Sequence, residues 1–173
     1  MITTAYVRTM AAYNSWQNGS IYRAADGLSD QQRRADRGAF FGSIHGTLNH
    51  LLWADRIWLS RIAGLEGPSA PDIASSVGEI DDWSRLKEAR ARLDRSIADW
   101  AATLAAEDLD GDLTWYSGAA GREITKPLGL LLTHLFNHQT HHRGQVHALL
   151  TGFGAKPDDT DLPFMPDGPE QLR

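Results

Sequence analysis

The chain has 173 residues, no cysteine and a formal net charge of -5, with 22 acidic against 17 basic residues. A chain of this length buries about two thirds of its unfolded surface without disulfides or a structural metal, so one domain over 1–173 is expected, and any metal serves function rather than folding. Without thiols, a transition-metal site must use histidine and carboxylate, and a cysteine nucleophile is excluded.

The acidic balance and scattered basic residues argue against nucleic acid as a partner. The opening MITTAYVRTM has neither a basic n-region nor an apolar h-region, and no apolar run approaches the roughly 18 residues of a membrane span. No membrane partner and a cytoplasmic location are therefore expected.

Taken in chain order, the apolar periodicity predicts four long amphipathic helices. The first covers about 4–25, with Tyr6, Met10, Tyr13 and Ile21 near one stripe and Gly27 as its stop, and a short helical turn is expected after Ser29. The second covers 43–63, with Ile44, Leu48, Leu51, Trp58 and Ile62 on its period and Gly64 at the C-cap.

Residues 64–80, with Pro68, Pro71 and Gly78, read as a loop. The third helix covers 82–106, with a seam of Trp83, Leu86, Leu93, Ile97, Trp100 and Leu104. "LTWY" and "REITK" flank "SGAAG" as in a short hairpin or an ordered loop. The fourth helix opens at Pro127 as its first helical residue and ends at Gly152, and 152–173 reads as a loop-like tail whose Asp158, Asp159 and Asp161 are solvated.

The fourth helix holds four of the seven histidines within "HLFNHQTHHRGQ", residues 134–145. Its apolar stripe is Leu128, Leu131, Leu132, Leu135, Val146 and Leu149. His138 and His142 fall inside that stripe one turn apart, within reach of one ion, while His134 and His141 lie on its flank.

Two imidazoles in an apolar seam need partners for their ring nitrogens, because a buried unpaired polar group costs roughly 1–3 kcal/mol. A cation satisfies one nitrogen of each ring and a hydrogen-bond acceptor the other. A pair is an incomplete zinc or nickel site, so a third ligand is required. His45, His50, His147 and the carboxylates are the candidates. His50 lies on the edge of the second helix's apolar face, His45 reads as surface or end packing, and His147 is too far round the helix from His142.

Gln139 follows His138 where the zinc-protease pattern H-E-x-x-H needs a glutamate, so that chemistry is excluded. Nucleophile-elbow, P-loop and dinucleotide-binding patterns are absent.

"GSIHGTLNHLLWADRIWL" at 42–59 and "HLFNHQTHHRGQVHALL" at 134–150, together with "YNSWQN" and "DLPFM", resemble the DinB-like family of damage-inducible, metal-binding proteins. The resemblance implies an all-α, up-down-down-up four-helix bundle with a long connection between its second and third helices. It implies a metal held by His50, His138 and His142. It also implies homodimers, for which exposed tryptophans such as Trp16 and Trp53 would serve.

Some members are thiol transferases or isomerases that use low-molecular-weight thiols such as bacillithiol or mycothiol. The expected cofactor is thus a divalent ion, zinc or nickel before iron or copper, and the expected partner a small-molecule substrate or thiol. Asp55, Tyr116 and Arg143 are candidate supporting groups. The competing expectation is a metal-binding stress-response module without catalysis.

Overall fold

Thr3, Ser43 and Asp82 each have an extended backbone and turn a side-chain oxygen onto the amide of the residue three ahead, the N-cap geometry that starts a helix. In the computed structural model, which describes residues 2–166, these caps begin α1 (Thr4–Asp26), α3 (Ile44–Ala63) and α4 (Trp83–Thr103). Ser29 and Gln32 form a capping box on the short α2 (Asp30–Arg34). Gly64 ends α3 in the left-handed region at φ 66°, where a side chain would be strained.

Two antiparallel strands, β1 (Asp112–Ser117) and β2 (Arg122–Pro127), pair Trp115 with Ile124 and lead into α5 (Leu128–Gly152). The chain is therefore mostly helical rather than strictly all-α. The alternation in "LTWYS" and the Ser117–Gly121 turn favour the hairpin, and Trp115 packs edge-on to Trp58 of α3 at 5.3 Å. Pro127 closes β2 and stands as the N-cap of α5, not as its first helical residue.

Among the described residues no helix is long and apolar enough to cross a membrane. The tail is irregular from 155 to 161, with a single 3-10 turn at Leu162–Phe164, and residues 167–173 of the expected tail lie outside the described part.

The core is formed where α1 packs on α4 and α5, and α3 on α4 and α5. Leu48, Leu51 and Leu52 of α3 meet Leu132, Leu135, Phe136 and Val146 of α5 and Leu86 and Ile97 of α4 in one buried cluster. Removing such a Leu side chain from water contributes roughly 1.5–3 kcal/mol.

Polar groups also enter this interior. Arg90 of α4 sits between Asp55 of α3 and Asp94, each 2.7 Å away, and Asn18 of α1 donates to Asp94 at 3.0 Å. Asp55, expected as a candidate supporting group, is therefore occupied in this buried ion pair. Trp53 is buried rather than exposed, its indole N–H donating to the Ala70 carbonyl at 2.8 Å, and Trp16 is half-buried.

Candidate metal centre

The packing of α3 on α5 carries His50 towards His138 and His142. Gln139 fixes the register of that contact: its side-chain amide, fully buried, donates to the Leu51 carbonyl at 3.3 Å, one residue from a histidine on each helix. The glutamine that disqualifies a zinc protease thus has a positioning role.

His50, His138 and His142 each offer a ring nitrogen, and these atoms all lie within 4.8 Å of one another. The Nε2 atoms of His50 and His138 are 3.3 Å apart. Two nitrogens bound to one tetrahedral ion at about 2.0–2.1 Å are separated by about 3.3–3.4 Å. The residues present therefore fit a divalent ion.

The outward nitrogens are what orient the rings. Ser76 lies in the 3-10 turn Ser75–Gly78. Its hydroxyl donates to the Ile73 carbonyl at 2.6 Å, so its oxygen accepts from His50 Nδ1 at 2.9 Å. His142 Nδ1 donates to the side-chain oxygen of Gln145 at 2.8 Å, and the Gln145 amide faces His141 Nε2 at 3.4 Å. Both arrangements put the ring proton on Nδ1 and leave the Nε2 lone pair of His50 and His142 free to bind.

Burial and, second, the charge of His142 hold His50 down at about 4. Burial, then the charges of His142, His50, His134 and His141, holds His138 at about 3. His142 is lowered chiefly by burial. All three are neutral at neutral pH, the form a metal requires.

Aromatic rings wall the cluster. Phe41 stacks on His50 at 3.7 Å and stands 5.2 Å from His142, and Trp53 lies 5.8 Å from His50 with its ring near-parallel. Phe41 is brought there by the tight turn from Ala39 to Gly42, closed by a 2.8 Å hydrogen bond between them; Gly42 takes φ +74°, which a side chain would resist.

His142 is buried, as its place in the apolar stripe predicts, and His50, expected at the edge of its helix's apolar face, is buried too; His138, although on the apolar stripe, is only half-buried and forms the open side of the cluster. His134 is exposed against Trp58 at 5.4 Å, and His141 is exposed.

Several expectations narrow or change. Of the two readings of His45, surface or end packing, the second holds: it is buried, with Nε2 3.1 Å from the Asp81 carbonyl and Nδ1 3.1 Å from Asn49, and it takes no part in the cluster. Tyr116 is 64% exposed on the hairpin. Arg143 points into the α1–α5 contact and donates to Asn14.

Ser76 and Phe41 were not anticipated. Each is a lone residue in a segment without periodicity, and only the folded loop shows its partner. Gln145 stands three positions after His142, a spacing at which helical side chains meet.

The DinB family model matches residues 1–172. The chain belongs to the DinB family. It is 26% identical over 153 residues to Protein DinB of Bacillus subtilis strain 168, covering 87% of this chain and 88% of that protein. It shares its fold with a crystal structure of a DinB-like protein from Bacillus cereus ATCC 10987: TM-score 0.61, 19% identity, 83% of this chain and 90% of that one.

Proposed function

We propose that this DinB family chain is a metal-dependent enzyme whose His50, His138 and His142 hold a divalent ion, zinc or nickel before iron or copper. It acts by activating a thiol or a water against a small-molecule substrate, most simply as a thiol S-transferase. The observation that carries this reading is the commitment of His50 Nδ1 to Ser76 and of His142 Nδ1 to Gln145, which turns two buried lone pairs towards His138.

A divalent ion held by three neutral imidazoles keeps its full charge and lowers the pKa of a water or thiol placed beside it. The protein's own groups supply the remainder. Phe41 and Trp53 keep water from the His50 side, so approach is from half-buried His138. His134, exposed but resting on the Trp58 ring, has its pKa lowered by partial desolvation, and its ring is 5.6 Å from that of His138; it is uncharged at neutral pH and placed to accept the proton of an arriving thiol.

The same proposal includes the up-down-down-up four-helix bundle, one domain over 1–173, a homodimer and a cytoplasmic setting without nucleic-acid or membrane partners.

The test is elemental analysis of untagged protein, then competitive metal titration of wild type and His138→Ala. Near-stoichiometric metal is expected in wild type, with at least a hundredfold weaker binding in a variant that still folds. Adding a low-molecular-weight thiol to cobalt-loaded protein should then change its visible absorption. Absence of metal, or equal affinity in the variant, overturns the site. Metal without any response to thiols or turnover of electrophiles leaves the stress-response module as the better reading.

A further inference from the structure

The interior holds two arginines that are at least nine-tenths buried, and their surroundings differ. Arg90, 2% exposed, has a carboxylate 2.7 Å away on either side. Arg143, 5% exposed, forms no ion pair among the described residues.

The partners of Arg143 are all neutral: the Asn14 side-chain oxygen, Gln139 Oε1 at 3.2 Å, Thr140 Oγ1 at 3.4 Å and the face of Tyr13. A buried cation with no carboxylate in contact is costly; Asp55 and Asp94 act on Arg143 only from beyond ion-pair distance, and both already contact Arg90. Arg143 also lines a cavity of about 650 Å³ between α1 and α5, shared with Tyr13, Gln17, Thr140, His147 and Thr160. That volume is in the range of small-molecule sites.

We propose that this cavity is a second ligand site, separate from the three histidines, that binds a small oxyanion, a carboxylate or phosphate, on the Arg143 guanidinium. The planar fork of an arginine suits either group through paired hydrogen bonds. Thr140 and Tyr13 stand beside the fork with their hydroxyl protons already given to the Phe136 and Thr160 carbonyls, so the guanidinium is the donor to the anion, and His147 lies one turn further along α5. The tail borders the cavity: Tyr13 donates to the Thr160 carbonyl at 2.7 Å and Gln17 to the Asp159 carbonyl at 2.8 Å. Arg143 and Gln139 directly follow His142 and His138, so a ligand here would bear on the helix that carries both.

The full-length protein is melted with succinate, with inorganic phosphate, or with sodium chloride at matched ionic strength. At about ten times its dissociation constant the preferred anion raises Tm by about 4 °C beyond the chloride control. Which of the two acts identifies the oxyanion. The shift persists in His138→Ala, which separates this site from anion binding at the histidines, and disappears in Arg143→Met.

Should Arg143→Met not fold, exposed Thr140 carries the test: Thr140→Glu supplies the missing charge, melts above Thr140→Gln and no longer responds to the anion. No shift beyond chloride in wild type, a shift lost in His138→Ala, or a shift retained in Thr140→Glu overturns the proposal.

Discussion

Replacing Ser76 by alanine tests whether the loop between α3 and α4 orients the metal ligands. Ser76 is fully buried, and its oxygen is the hydrogen-bond partner of His50 Nδ1 at 2.9 Å. The substitution removes that acceptor and leaves a buried N–H unpaired, a loss of about 1–3 kcal/mol. Part of that loss falls on folding.

The remainder falls on metal binding, because the ring can then take its proton on Nε2, the nitrogen facing His138. Loss of such an outer partner weakens metal affinity by about 10–100-fold. Zinc affinity is measured by chelator competition at pH 7.5, with urea unfolding of the metal-free protein alongside. Ser76→Thr, which keeps the hydroxyl, should recover most of the affinity. Binding by Ser76→Ala within twofold of wild type would refute the orienting role, and the assignment of the His50 proton to Nδ1 with it.

Three further outcomes are expected. Metal-free protein should lose stability as pH falls below 6.5, because the unfolded imidazoles take protons first while His50 and His138 wait until about 4 and 3; each pH unit costs up to about 1.4 kcal/mol per histidine, and a flat urea-unfolding profile from pH 7.5 to 5 would contradict this. Arg90→Met strands Asp55 and Asp94 in the core and should cost about 3–5 kcal/mol in urea unfolding, much of it restored when Asp55→Leu is added. Gly46→Ala places a Cβ 2.6 Å from the Phe41 carbonyl oxygen, so the turn holding Phe41 on His50 must move; a loss of about 1–3 kcal/mol in thermal unfolding is expected, with weaker metal binding.

The helices were legible because their ends carry local chemistry. Thr3, Ser43 and Asp82 start them and Gly27 and Gly64 stop them, and the observed limits lie within a residue or two of those expected except at the end of α4. There no glycine marks the stop: Leu104 and Ala105 turn extended after Thr103, and of the residues expected to be helical only Ala106 falls in the 3-10 turn Ala106–Leu109. His45 shows what angles alone leave open, since they allowed surface or end packing and the structure has the second. It sits far from the apolar stripe and is buried all the same, because Asp81, from the segment before α4, and Asn49 supply the partners that let an imidazole leave water.

The candidate site divides in the same way. His138 and His142 share one face of one helix, so spacing suffices to pair them. His50 requires the packing of a second helix, for which the residues alone left alternatives and the family resemblance supplied the choice. Ser76 and Phe41 belong to loops, whose course no periodicity records, yet they contact His50 as closely as any helical residue does. The helices bring the three nitrogens together, and Ser76 and Gln145 decide which nitrogen of His50 and His142 keeps its proton. A sequence that kept all three histidines but replaced Ser76 and Gln145 with apolar residues would therefore keep the fold of the centre and lose much of its affinity for metal.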